Sequence, residues 1–138
     1  MVKVAILFAI LIIASIIDIK YKVIYEGVTL LGILLAFNYH LFCGDVFLSI
    51  MGVNTGIVIV WVMNCLKWHN VGGGDAKLMA TVGAFLGWIP VVFVAFGAWI
   101  LCRIFRIFHR QRAVPYAPFI GIATLLVVLW NAILYYRI

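Results

Sequence analysis

Acidic residues are the scarcest feature of this chain. Asp18, Glu26, Asp45 and Asp75 are the only four in 138 residues. Charged residues of both signs make up 10% of the sequence against 68% hydrophobic, and the mean hydropathy is +1.27. A soluble domain covers its core with roughly 25% charged residues. A water-soluble globule is therefore excluded, and the chain reads as an integral membrane protein. Cysteine is also sparse: Cys43, Cys65 and Cys102 stand alone, with no C-x-x-C pair. Zinc ribbons and thiol redox motifs are thereby unsupported, and the three read as small apolar residues within or beside spans. There is no basic tail or basic helix, so the net charge of +6 does not point to nucleic acid. Repeats, low-complexity runs and linkers are missing too, which leaves one compact domain over residues 1–138. The opening "MVKVAILFAILIIASIID" imitates a signal peptide but lacks an A-x-A-like cleavage site, and reads as a retained first helix.

Breaks in the apolar pattern predict an all-α bundle of six transmembrane helices. They are expected over Val4–Ile19, Val23–Phe42, Val46–Leu66, Asp75–Trp88, Pro90–Phe108 and Pro115–Tyr136. A membrane crossing takes about 20 residues, so the first and fourth are short, each with an aspartate at one end. That pattern hints at water access or local thinning of the bilayer. Lysine and arginine set the orientation. Lys20, Lys22, Lys67, Lys77, Arg103, Arg106, Arg110 and Arg112 fall in the loops of one side, and only Lys3 and Arg137 on the other. Both termini are then extracytoplasmic, and the loops "KWHNVGGG" and "RIFRIFHRQRAV" are cytoplasmic. Chemistry is expected near the cytoplasmic face of the membrane.

The acids divide accordingly. Asp45 lies in an outer Cys-Gly-Asp turn, where turn chemistry accounts for it. Asp18 closes the first helix and Asp75 opens the fourth, at matching depth on the cytoplasmic side. Carboxylates near the hydrocarbon usually face a bundle interior or a water-filled cavity. Each has a plainer reading as well: Asp18 as an ion pair with Lys20 or Lys22, Asp75 as a helix cap. The triple glycine Gly72, Gly73 and Gly74 weighs against a cap alone, because it permits positive φ and close backbone approach. Two neighbouring carboxylates do not both ionise easily and titrate as a unit. The ionised one can take a proton from attacking water while its partner donates to the carbonyl oxygen. That chemistry needs no metal, cofactor or covalent intermediate. A third polar stretch, "VPYAPFIG", opens the last helix. Pro115 and Pro118 there suggest an irregular, water-lined segment with free carbonyls for a substrate strand, or simply a helix start.

With these elements together, the chain resembles the type IV prepilin peptidases, a branch of the G-x-G-D intramembrane aspartyl proteases. Gly72, Gly74 and Asp75 occupy the G-x-G-D positions, and "GGGDAKL" is similar to the family's form of the motif, including Lys77. Asp18 followed by Ile24 is similar to its D-x5-I element, and "PYAPF", with Pro115, Tyr116 and Pro118, to a third segment. The resemblance implies a membrane endopeptidase with catalytic Asp18 and Asp75. It implies cleavage of the short basic leader from prepilins or prepilin-like precursors at the cytoplasmic membrane. The partners implied are the precursor and membrane lipid, with no nucleic acid, metal or cofactor. Where the family often has Ile-Pro-Asn, this chain has Ile24-Tyr25-Glu26, so Glu26 is either an auxiliary acid or an interfacial charge near Lys22. The family's cysteine-bearing methyltransferase extension has no counterpart here, so no methyltransferase activity is expected, as in the short peptidases of tight-adherence (Flp-type) pili. His69 and His109 read as interfacial residues, and the five tryptophans as interface anchors or packing groups. The competing function is a small transporter or proton-conducting bundle with the two aspartates as relay sites; no inverted repeat accompanies it.

Overall fold

The computed structural model describes residues 2–66, 72–109 and 114–137. Six helices account for nearly all of them: α1 Val2–Tyr21, α2 Glu26–Cys43, α3 Val46–Cys65, α4 Gly73–Leu86, α5 Trp88–His109 and α6 Ala117–Arg137. The all-α expectation holds, with corrections at the helix ends. α1 has 20 residues, so it is not a short helix. Lys20 and Tyr21 extend it, and it closes where the Lys22 N–H bonds the Asp18 carbonyl at 2.8 Å, with Lys22 at φ +53°. α4 starts two residues before Asp75 and stops at Gly87, whose φ of +90° no helix can continue. α5 then begins at once on Trp88, two residues before the expected Pro90, which lies in a first helical turn, where a missing N–H costs nothing. The expected Cys-Gly-Asp turn is present: Gly44 at φ +84° ends α2, and the Asp45 N–H bonds the His40 carbonyl at 3.1 Å.

Five of the helices are long and apolar enough to cross a membrane; α4, with 14 residues, is the exception. Its place in the bundle explains why. α4 touches each of the other five helices. Eight consecutive residues, Leu78 to Phe85, are buried, so every face of its middle turns is covered by protein. The outer helices bury a single stripe and present Ile, Leu, Phe and Trp outward, with Phe42 and Ile107 more than three-quarters exposed. An apolar mantle of that extent is what lipid requires and what a soluble monomer avoids. α4 is the core about which five lipid-facing helices pack.

Small residues make that enclosure possible. In lipid, close helix packing depends on small side chains at the contact, because apolar surface gains nothing by leaving lipid tails. A Cβ on Gly52 of α3 would stand 1.9 Å from the Gly83 carbonyl oxygen of α4, and one on Gly83 would stand 2.1 Å from that of Gly52. One turn along, a Cβ on Gly56 would come within 2.7 Å of the Met79 carbonyl oxygen. The backbones of α3 and α4 therefore touch. The Ser49 hydroxyl donates to the Ala84 carbonyl at 3.0 Å beside this contact. On the other flank of α4, the Thr81 hydroxyl reaches the Thr29 carbonyl of α2 at 3.2 Å, and the Thr81 methyl fills the space over Gly32.

Enlarging the α3–α4 contact should thus unfold the bundle where enlarging an open glycine should not. Gly52→Val or Gly83→Val is expected to cost at or beyond the upper end of the roughly 1–3 kcal/mol typical of overpacking. Gly27→Ala, which meets nothing within 4 Å, leaves stability unchanged or slightly raised. Thermal unfolding of the three variants in detergent distinguishes the outcomes.

Candidate active site

α1 runs toward the end of the bundle at which α4 and α6 begin, and this antiparallel arrangement brings the three polar segments together. Asp18, in the last turn of α1, is 6% exposed. One carboxylate oxygen accepts the Ala117 N–H at 3.0 Å. Ala117 is the first residue of α6, so Asp18 caps a helix 99 positions away in sequence. A carboxylate at a helix N-terminus is favoured by the unsatisfied N–H groups there and by the helix dipole. The expected pairing of Asp18 with Lys20 or Lys22 is not how the residue is used. Its carboxylate points inward, and the Lys20 ammonium instead lies 5.4 Å from the Tyr21 ring centre.

Asp75 is the third residue of α4 and half-buried. Its side chain accepts the Gly72 N–H at 3.3 Å, while its own N–H donates to the Gly72 carbonyl at 3.1 Å. This is the reciprocal arrangement in which a residue at the third helical position reaches back to the cap, so Asp75 does cap its own helix. α1 and α4 are in contact, and Asp75 stands at the same end of the bundle as Asp18. The glycines work differently from the sequence expectation. Gly72 has φ −68° and ψ 158°, and none of the three takes positive φ. Among the described residues, nothing comes within 4 Å of a Cβ placed on Gly73. Only Gly74 is needed for close approach: a Cβ there would stand 3.0 Å from the Ile24 Cβ. Ile24, buried just beyond α1, thus rests on the glycine turn that carries Asp75.

The proline segment is more regular than expected. Pro115 precedes α6, Tyr116 is its cap residue, and Pro118 lies in the first turn. The Tyr116 carbonyl is not free for a substrate, because the Phe119 and Ile120 N–H groups bond it at 3.1 and 3.2 Å. Pro118 has no N–H to offer, which leaves Ala117 to bond Asp18. The Tyr116 side chain is buried. So is Cys102 on α5, read from sequence as a small apolar residue. Glu26 does not pair with Lys22. It forms an ion pair with Lys77, both side chains being largely exposed. That contact joins the starts of α2 and α4 beside the site. His69 lies outside the described residues, and His109 stacks on Phe105 with ring centres 4.3 Å apart. Signals for the missed contacts were limited. Gly52 and Gly56 four apart are a small-residue spacing readable from sequence, whereas nothing local announces that Asp18 would cap α6.

A family model described as the type IV leader peptidase family matches residues 5–107, three-quarters of the chain, including both aspartates. The chain belongs to the type IV leader peptidase family. Curated relatives include the prepilin leader peptidase/N-methyltransferase of Aeromonas salmonicida, 28% identical over 100 residues. The protein of the same name from Aeromonas hydrophila is 28% identical over 102 residues. Each alignment covers 60% of this chain and 33% of the relative. The chain thus matches about one third of the length of those proteins. No solved structure matches it. The stretch Pro115–Phe119 lies beyond the family match, so its part in the site rests on the contact of Asp18 with Ala117. The proton-conducting alternative gains nothing from the comparisons.

The cap predicts a specific contrast at Asp18. Asp18→Asn keeps an oxygen that accepts the Ala117 N–H, whereas Asp18→Ala removes it. The alanine variant is expected to be less stable than the asparagine variant by about 1 kcal/mol, a typical loss for a helix cap. Paired thermal melts in one detergent measure the difference.

Proposed function

We propose that this chain is a membrane-embedded aspartyl endopeptidase that removes the leader from prepilin or prepilin-like precursors, with Asp18 and Asp75 as its dyad. The observation that carries this reading is the placement of two aspartates at one end of the bundle, Asp18 in the last turn of α1 and Asp75 in the first turn of α4, in a chain whose family is that of leader peptidases. The names of the relatives supply the substrate class: a prepilin leader. The excess of Lys and Arg at the same end of the helices supports a cytoplasmic position for the site.

In this mechanism the pair holds one proton between two carboxylates. The ionised member takes a proton from water as the water oxygen attacks the scissile carbonyl. The protonated member donates to the carbonyl oxygen, giving a neutral tetrahedral diol. As the diol collapses, one hydroxyl gives its proton to the ionised carboxylate and the C=O re-forms, the C–N bond breaks and the leaving nitrogen takes the proton of the other carboxyl; the leader departs as a carboxylic acid and the dyad again holds one proton. The hydrogen bond to Ala117 holds one oxygen of Asp18 and so directs the other. Asp75 is steadied by the Gly72 N–H, and Ile24 packs against the turn from which it projects. The Glu26–Lys77 pair, exposed at the start of α2 and α4, borders the site and does not enter the acid–base steps.

The test is cleavage of a purified prepilin by the detergent-solubilised protein. Asp18→Asn and Asp75→Asn should each lower kcat/KM by at least about 10²-fold, the lower end of general acid–base contributions, while thermal stability is retained. Activity near wild type in either variant overturns the dyad. The wild-type pH profile should be bell-shaped, because one proton must be present and only one. Glu26→Gln should leave both catalysis and stability close to wild type; a hundredfold loss of cleavage would place Glu26 in the chemistry.

A further inference from the structure

Proteolysis at the dyad requires somewhere for the rest of the substrate to go. A leader that precedes an apolar helix presents its scissile bond at the membrane interface, with the helix continuing into lipid. The exterior of the bundle offers a continuation of the site in that direction. Between α1 and α6 runs an apolar groove of about 360 Å³. Its floor includes Ser15 and Gly121, and its walls include Ile12 and Ile16 of α1 and Ile122 and Leu125 of α6. Those four wall residues are exposed. The groove begins at Ile19 and Pro118, the residues immediately after Asp18 and Ala117. Since Asp18 and Ala117 are hydrogen-bonded to each other, the groove opens on the outside of the bundle one residue along each helix from that bond.

We propose that this groove seats the apolar helix following the scissile bond of the precursor, an inference that rests on the peptidase reading above. Three features favour a helix as occupant. From Ile19 to Phe8 the groove extends along eleven residues of α1, about 16 Å at 1.5 Å per residue, or three turns of a docked helix. Its walls are parallel ridges of branched side chains, and ridges seat the grooves of another helix. Its floor is small: a Cβ on Gly121 would be 3.8 Å from the Ser15 hydroxyl oxygen, so α1 and α6 leave a low path between them. Small residues of this kind are what lets a helix approach closely in lipid. A larger apolar groove, about 670 Å³ between α5 and α6, is lined by Ile89, Phe93, Trp130 and Leu134. It lies at the start of α5 and the end of α6, the end of the bundle away from the aspartates, and does not lead to the site.

Disulfide trapping tests the assignment without depending on turnover. The inactive Asp75→Asn protein, with Cys43 and Cys65 replaced by serine, is given Ile122→Cys and mixed with precursors carrying single cysteines along the apolar helix. Crosslinks are expected at positions three or four residues apart, on one face of the substrate helix. A parallel protein carrying Phe93→Cys should give few. Crosslinks favouring Phe93→Cys, or none to Ile122→Cys, overturn the proposal, and the second result would leave the groove to lipid. In active protein, Gly121→Leu should lower kcat/KM for the same precursor at least about tenfold. Val127→Leu, in the α5–α6 groove, should stay within about twofold of wild type. An unaffected Gly121→Leu enzyme counts against the groove. If the wild-type protein cleaves no precursor, the peptidase reading itself fails, an outcome that the trapping result does not share.

Discussion

The whole arrangement depends on backbone contact between α3 and α4. Because Gly52 and Gly83 carry no side chain, the two helices meet main chain to main chain, and α4 can sit deep enough to be surrounded. With a side chain at either position the helices would stand apart, and the remaining four could not close around α4. A helix without a lipid face has no need to span the hydrocarbon by itself, which is why 14 residues suffice where its neighbours use 18 to 22.

The same enclosure places the aspartates. Asp75 opens a helix that every other helix touches, so the end of α1 and the starts of α2 and α6 converge around it. Each polar motif then fastens one helix to another: Asp18 ties α1 to α6, Ile24 braces the glycine turn of α4, and Glu26 joins α2 to α4 through Lys77. The proposed dyad would thereby be held by packed helices, the more exact kind of scaffold for a reactive pair. Hydrogen bonds to Ala117 and Gly72 serve folding and orientation at once. Capping and catalysis are compatible duties for these two residues.

Much of this was legible in the sequence because much of it is local. Apolar runs disclosed six helices, and the order of Asp18, the G-x-G-D turn and "PYAPF" pointed to the family before any geometry was known. The family match then confirmed that resemblance over residues 5–107. What was misjudged depended on contacts between helices. The glycines before Asp75 looked like a device for positive φ, yet they form an ordinary helix start, and only Gly74 is pressed by a neighbour. Glu26 was set beside Lys22 because the two are close in sequence; across the bundle, Lys77 is the nearer cation. The shortness of α4 hinted at water access or a thinned bilayer; the enclosure of its middle turns by protein is a reason that lies in contacts between helices. The prolines suggested free carbonyls, but the first turn of α6 consumes that of Tyr116.

The enclosed position of α4 has a bearing on how the protein sits in membranes of different thickness. The exposed apolar faces belong to α1, α2, α3, α5 and α6, and in a bilayer such helices could answer a mismatch with its thickness by tilting. α4 has no such boundary with lipid along its middle turns. A bilayer would reach its middle turns through those neighbours, so that the depth of Asp75 would follow protein packing before it followed lipid.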